Sequence, residues 1–222
     1  MYAKFWKRFF DFTLSLLALI VLSPVLLVLI IVGAIAMRGN PFFVQARPGK
    51  IDKKTGKEKI FKLIKFRTMS NKRDKDGNLL PDAERLNGYG KFLRKTSLDE
   101  LGELVNIVRG DMAIVGPRPL AIQYLPFYNE YERKRHTVLP GLTGLAQING
   151  RSVANWPERF AYDVEYVENI SFINDFKIIL TTVSKVIKRD DVVVRGTGEV
   201  LDFDKYRQNE RKMVSGDVKH YE

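Results

Sequence analysis

Two adjacent carboxylates, Asp99 and Glu100, lie in the stretch LRKTSLDEL that runs from Leu93 to Leu101. A carboxylate can attack a phosphorus centre and form an acyl phosphate. A carboxylate pair also offers hard oxygen ligands to Mg2+, which completes its shell with substrate oxygens and water. Arg94 and Lys95 stand just upstream and suit anionic phosphate. A structural reading competes, because Ser97-x-x-Glu100 is the pattern of a capping box that opens a helix. It accounts for Ser97 and Glu100 without any chemistry and leaves Asp99 unexplained. In the first turn of a helix expected over 97–109, Asp99 would feel the positive end of the helix dipole and stay ionised. Leu98, Leu101, Leu104, Val105 and Val108 would form the apolar face of that helix.

A second candidate is the turn Gly116-Pro117-Arg118-Pro119. Two prolines fix φ around one arginine, and a guanidinium meets phosphate in a bidentate fork. A surface salt bridge on a rigid turn is the plainer use of the same residues. The run PGLTGLAQINGR from Pro140 to Arg151 could bring backbone amides to a nucleotide or phosphate, though it matches no Walker or Rossmann pattern. Other chemistries are poorly supplied. The absence of cysteine excludes disulfides and thiolate metal sites, and His136 and His220 are too few for an obvious zinc site or histidine triad. The net charge of +11 calls for an anionic partner. Nucleic acid, an anionic membrane face and phosphorylated substrates all qualify on charge alone.

The elements that must position these residues begin with an uncharged run, LSLLALIVLSPVLLVLIIVGAIA, over 14–36. A straight helix of that length would cross a hydrocarbon core of about 30 Å. The run is too long for a signal peptide and no small-x-small cleavage site precedes Arg38. Ser23-Pro24 near its middle predicts a break, since proline removes a backbone hydrogen bond and clashes with the carbonyl four residues back. The Ser23 hydroxyl can satisfy the freed carbonyl. Lys4, Lys7 and Arg8 before the run and Arg38, Arg47 and Lys50 after it give no orientation for a span, and they suit two ends on one anionic face. A kinked span and a re-entrant helix both remain open on these grounds. Lys7 and Arg8 could snorkel or touch lipid phosphate, and Asp11 is spaced to pair with them.

Beyond it, 42–46 and 60–68 read as strands joined by a basic hairpin loop over 47–59. A polar connector follows over 70–90, read as a mobile loop with a short helix. Met112–Val115 is a short apolar piece, and helices are expected near 121–136, 156–168 and 172–189. The last carries Phe172, Ile173, Phe176, Ile179, Leu180, Val183 and Ile187 at helical spacing. Core packing is the first reading of that face and membrane-surface docking the second. From about 203 the tail is charged and reads as partly disordered.

Seven motifs occur in order from about residue 4 to about 190: Lys7-Arg8-x-x-Asp11, Ser23-Pro24, Phe43-x-Gln45-x-Arg47-x-Gly49, Lys65-Phe-Arg-Thr-Met69, the Leu93–Leu101 stretch, Gly110–Leu120 and Pro140–Arg151. In this the chain resembles the small monotopic phosphoglycosyl transferases, or bacterial sugar transferases. The resemblance implies an α+β fold: a re-entrant helix over 1–38 broken at Ser23-Pro24, then a mainly helical cytoplasmic catalytic domain over 39–222. That domain would hold a small β-hairpin and surface amphipathic helices, and residues 191–222 match no part of the pattern. It implies that Asp99 attacks the sugar-bearing phosphorus of a UDP-sugar, releases UMP and passes the phosphosugar to undecaprenyl phosphate. Glu100 would complete the dyad and help hold Mg2+ as cofactor. Arg118 would meet substrate phosphate, with Arg94, Arg151 and Gln147 as looser candidates and Asp163 the least secure. Lys7 and Arg8 would sit near headgroups. The setting implied is the bacterial inner membrane, catalytic domain on the cytoplasmic face, with anionic lipid and downstream glycosyltransferases as partners and no nucleic acid. Two rivals are a membrane-anchored basic binding protein without catalysis and direct, non-covalent transfer in a ternary complex.

Overall fold

The computed structural model describes residues 1–150, 155–188 and 202–215. After a single 3-10 turn, α1 (Trp6–Val21) and α2 (Ser23–Met37) form a pair bent by 65°, and no single helix is long and apolar enough to cross a membrane. The break falls where the sequence puts it. Pro24 sits in the first turn of α2, where its missing N–H costs least, and Ser23 donates its hydroxyl to the Ile20 carbonyl at 2.7 Å. That is the carbonyl, four residues back, that an N–H at position 24 would have met.

Both limbs are tied to the rest of the chain. Asp11 accepts from the Ile114 amide at 3.0 Å. Asn87 donates to the Ala36 carbonyl and Tyr89 to the Leu29 carbonyl, at 3.2 and 2.9 Å. The outward faces stay apolar and open, with Ile20 63%, Val21 66% and Ile35 73% exposed.

The first expected strand is longer than read and the second is shifted two residues toward the N-terminus. β1 (Phe42–Ile51) and β2 (Glu58–Phe66) pair antiparallel with Phe42 opposite Phe66 and Arg47 opposite Phe61. Most of the basic stretch read as loop is therefore paired strand, and a tight tip remains. Phe61 and Leu63 point inward with the i, i+2 period of a half-buried strand. They pack on Leu104, Ile107 and Met112. The polar connector is ordered: it holds the short helix α3 (Asp82–Arg85) and isolated bridges Met69–Leu86 and Arg73–Leu79, and it leads into α4 (Gly88–Thr96).

The single helix expected over 97–109 does not form. Ser97 ends α4 with φ +55°, in the left-handed region, and its side chain caps nothing. A 3-10 turn (Leu98–Gly102) follows, and α5 (Glu103–Arg109) comes only after it. The buried side of α5 carries Glu103, Leu104, Asn106 and Ile107, so of the expected stripe only Leu104 is buried in it. Asn106 is the reason: it donates to the Lys62 carbonyl at 2.8 Å and accepts from the Ile64 amide at 3.0 Å, docking α5 on the edge of β2. Ser97→Gly is expected to raise the unfolding midpoint in detergent by the equivalent of about 0.5–1 kcal/mol, since glycine accepts φ > 0 without a Cβ penalty. A lowered midpoint would restore the capping reading.

β3 (Ala113–Val115) pairs parallel with β4 (Gly141–Thr143). The close approach needs glycine: a Cβ on Gly141 would lie 2.1 Å from the Gly116 nitrogen. The Gly116 amide donates to the Thr143 carbonyl and the Gly141 amide to the Pro117 carbonyl, so these amides serve strand pairing and do not face a ligand. The helix expected over 121–136 breaks into a 3-10 segment with Pro126 inside (Ile122–Phe127), α6 (Glu130–Arg133) and a 3-10 turn (Lys134–Thr137). α7 (Leu145–Gly150) is not anticipated by the sequence, whereas α8 (Trp156–Glu168) and α9 (Phe172–Lys188) fall where helices are expected.

The first reading of α9 is corrected here. Only Asp175 and Ile178 of α9 are buried, and Phe172, Ile173, Phe176, Leu180, Val183 and Ile187 stand half or more exposed, so that face is not core. The charged tail forms a helix over part of its length, α10 (Phe203–Ser215), with Phe203 wholly buried among Tyr124, Trp156 and Phe160.

Candidate active site

Three segments bring charge to one place. The 3-10 turn presents Asp99 and Glu100, with Glu103 at the start of α5 beside them. Near the end of β2, Lys65 lies 3.0 Å from Glu100 Oε1 and 2.8 Å from Glu103 Oε1. The turn after β3 delivers Arg118, 2.5 Å from Glu100 Oε1. Glu100 is thus clamped by two cations, its side chain 15% exposed. Asp99 is different: among the described residues no hydrogen bond engages its carboxyl. Burial and then the neighbouring Glu100 charge push its pKa up, opposed by Lys65, Arg118 and Arg94. The helix whose dipole is expected to act on Asp99 does not start here, and desolvation of the charged form is the largest influence on its pKa. Such a carboxylate is poorly solvated and accepts no hydrogen bond from the described residues, which favours its use as a nucleophile.

Glu103 adds a third acid. It is almost wholly buried, which raises its pKa, and Lys65 opposes that shift. Its Oε1 lies close to Lys65 Nζ without making a hydrogen bond of good geometry. Lys65 and Glu103 belong to this charge cluster and are not among the candidates read from the sequence. Lys65 was visible as part of a motif, but nothing in one dimension says that a strand lysine lies over a turn more than thirty residues on. Glu103 reads as an ordinary helix surface residue.

The remaining candidates separate. Arg94, in the last turn of α4, is held by Thr68 Oγ1 at 3.1 Å and Met69 Sδ at 2.9 Å, close enough for its charge to act on Asp99. Gln147 in α7 is 6% exposed, and neither amide atom has a hydrogen-bond partner among the described residues. A Cβ on Gly144, which packs against the Gly116 carbonyl, would lie 2.6 Å from Gln147 Oε1. A buried amide left open beside the Arg118 turn is costly unless something fills it. Asp163 is not among the site carboxylates. It binds Arg135, whose Nε is 2.9 Å away, and Arg135 in turn donates to the Arg118 carbonyl at 2.6 Å. Arg151 lies outside the described residues.

Lys7 and Arg8 both make contacts within the fold. Lys7 Nζ lies 2.7 Å from Asp175 and 3.7 Å from Asp11, with 12% of its side chain exposed. Arg8 donates to the carbonyls of Ile107 and Val108 at 2.6 and 2.9 Å, capping the C-terminal end of α5. Both residues lock α1 to the rest of the fold.

Metal binding can be judged on the donor set. Among the described residues no three acidic or histidine side chains converge into a ready-made cage. Asp99 and Glu100 supply two adjacent hard oxygen donors, with one Glu100 oxygen already engaged. That set fits an ion that keeps water and arrives with phosphate, as Mg2+ does, and does not fit a resident, fully protein-bound metal.

Comparison with known proteins agrees with this geometry. The family model described as bacterial sugar transferase matches residues 2–189. The chain is 46% identical over 186 residues to the uncharacterized sugar transferase EpsL of Bacillus subtilis, covering 84% of this chain and 89% of that one. It is 37% identical over 201 residues to the exopolysaccharide production protein ExoY of Sinorhizobium fredii, covering 81% and 84%. To a UDP-glucose:undecaprenyl-phosphate glucose-1-phosphate transferase of Klebsiella pneumoniae it is 38% identical over 188 residues, which is 81% of this chain and 40% of that longer protein. With a family match over nearly the whole chain and identities at this level, the protein is an enzyme of the bacterial sugar transferase family.

Proposed function

We propose that this enzyme transfers a sugar-1-phosphate from a UDP-sugar to undecaprenyl phosphate, releasing UMP, in the first step of building a bacterial polysaccharide or other glycoconjugate. The observation that carries the reading is the pairing of an unengaged, desolvated Asp99 with a Glu100 clamped by Lys65 and Arg118. The names of relatives, a UDP-galactose-lipid carrier transferase and an undecaprenyl-phosphate galactose phosphotransferase among them, support the substrate class.

In the mechanism, an Asp99 carboxylate oxygen attacks the phosphorus that bears the sugar. The bond from that phosphorus to the bridging oxygen breaks, and UMP leaves with the electron pair. A phosphosugar ester of Asp99 remains. A phosphate oxygen of undecaprenyl phosphate then attacks the same phosphorus and displaces the Asp99 carboxylate, leaving the sugar on a lipid diphosphate. Lys65 and Arg118 place positive charge beside the group being transferred, where it is worth most in a partly desolvated site. Gln147 offers its open amide to the donor, and Arg94 adds charge behind Asp99. Bound through Asp99 and Glu100, Mg2+ would supply Lewis-acid neutralisation of the diphosphate.

The location follows the same logic. Both limbs of the bent pair are fastened to one folded body, through Asp11 and Lys7 at one end and Ala36 at the other. That supports re-entrance into a single leaflet over a span. The open apolar face of α9 continues the apolar surface of α1, with Phe172 in ring contact with Tyr2 and Phe10. A surface of that kind suits lipid at the cytoplasmic face of the inner membrane, and the net positive charge suits anionic headgroups and both phosphorylated substrates.

The test is incubation of purified protein with a panel of phosphorus-labelled UDP-sugars and Mg2+ in the absence of acceptor. The expected result is label retained on the protein in amounts that approach the enzyme present, with release of UMP, and discharge of that label on adding undecaprenyl phosphate. Turnover that needs both substrates together, with no label trapped, would establish the ternary-complex route instead. Lipid binding without turnover on any donor would leave only the binding-protein reading.

A further inference from the structure

The family match ends at residue 189, yet α10, which starts at Phe203, is packed into the body of the enzyme. Phe203 is 0% exposed and fills an aromatic socket, with ring centroids 5.2 Å from Trp156, 5.3 Å from Tyr128 and 4.9 Å from Phe160. Tyr124 donates its hydroxyl to Asp202 at 3.1 Å. Arg207 pairs with Glu132 and, at 2.5 Å, with Glu210, its guanidinium lying over the Phe203 ring. A docking this complete is more than a tail needs.

The socket is one residue layer from the active site. Tyr128 and Phe160 carry the guanidinium of Arg135 on their rings, at 5.8 and 5.7 Å. Arg135 is buried, is fixed by Asp163 and donates to the Arg118 carbonyl at 2.6 Å. Leu120 and Ala121, immediately after the Arg118 turn, rest on the same aromatic cluster. Phe203 therefore reaches the backbone that aims Arg118 at Glu100 by two routes, one through Arg135 and one through Leu120.

We propose that α10, lying beyond the family's matched region, is a positioning element for Arg118, with Phe203 as its key and Arg135–Asp163 as the link. Removing the Phe203 ring lets Tyr128 and Phe160 relax, loosens Arg135 and frees the Arg118 turn. As a statement about catalysis this rests on the sugar-phosphate transfer reading. As a statement about coupling within the fold it does not.

The experiment therefore has two arms, both on the full chain. In the first, hydrogen–deuterium exchange compares wild type with Phe203→Ala. Residues 113–121 are expected to lose protection in the variant while β1 and β2 keep theirs. Unchanged exchange over 113–121, or equal loss everywhere, overturns the coupling. In the second, donor turnover is measured in a double-mutant cycle. Phe203→Ala is expected to lower kcat/KM by about tenfold in the wild-type background, on the scale that small misplacements of a catalytic group produce. In an Arg118→Ala background it should lower it less than about twofold, because the group it positions is gone. Equal losses in both backgrounds mean that α10 supports the fold only, and overturn the proposal. Should Phe203→Ala not fold, Phe203→Leu keeps most of the volume and is put through the same cycle, with the same non-additivity expected. If wild type turns over no UDP-sugar, the transfer reading fails, and the exchange arm still decides the coupling.

Discussion

Asp99→Asn is expected to abolish transfer, with kcat/KM down by at least about 10⁴-fold, the scale of losses seen when a nucleophile is removed and only binding and electrostatics remain. The amide is nearly isosteric and cannot form the acyl phosphate, so label from the donor should no longer stay on the protein. The same substitution makes a second, opposite prediction that separates lost chemistry from lost folding. The Asp99 pKa is raised in the fold, by burial first and Glu100 second. The folded state therefore binds the Asp99 proton more tightly than the unfolded chain, and above the raised pKa the ionised carboxylate costs stability that returns as the pH falls through it. A neutral amide removes that cost. Asp99→Asn should unfold at a higher temperature than wild type at neutral pH, and the gain should vanish in acid. An inactive variant that is also less stable would show that Asp99 holds the structure together, and an active one would end the covalent proposal. Stability given up at a reactive group is the common pattern for active sites.

What could be read in one dimension was set by local chemistry. Ser23-Pro24 announces its break because the lost N–H and the hydroxyl that compensates for it are neighbours in sequence. The hairpin is visible because Phe61 and Leu63 alternate. Arg118 is visible because two prolines frame it. Ser97 looks like an N-cap, but the turn it begins is pulled into a 3-10 path by Asn106, which docks α5 on β2 from the far side of the site. The apolar stripe of α9 looks like core, and periodicity says that a face is apolar without saying whether protein or lipid covers it. The contacts of Lys7 with Asp175 and of Arg8 with the end of α5, 99 or more residues on, are equally invisible in sequence. The tail looks unstructured because its composition is charged, and one phenylalanine with a socket to enter outweighs that.

Lys65 is the sharpest case of such a long-range partner, and Lys65→Met has the second large effect. Its ammonium lies between Glu100 and Glu103, within 3.0 Å of both. Three carboxylates crowd together here across the 3-10 turn and the start of α5, and Lys65 Nζ is within salt-bridge distance of two of them while Arg118 meets Glu100. Turnover should fall on the order of 10²–10³-fold, as when one preorganised donor is lost from a site that stabilises developing charge. The pH profile gives the more exacting readout. Attack requires ionised Asp99, so the acid limb of kcat/KM follows its raised pKa. Lys65 holds that pKa down and Glu100 holds it up. Lys65→Met should therefore move the limb to higher pH, and Glu100→Gln should move it to lower pH, although both variants are slower than wild type. A structural role for either residue predicts lower rates with an unmoved limb. Limbs that shift together, or in the reverse order, would mean that the titrating group is not Asp99. The opposed shifts then identify the nucleophile by its electrostatic neighbours, without needing the intermediate to be trapped.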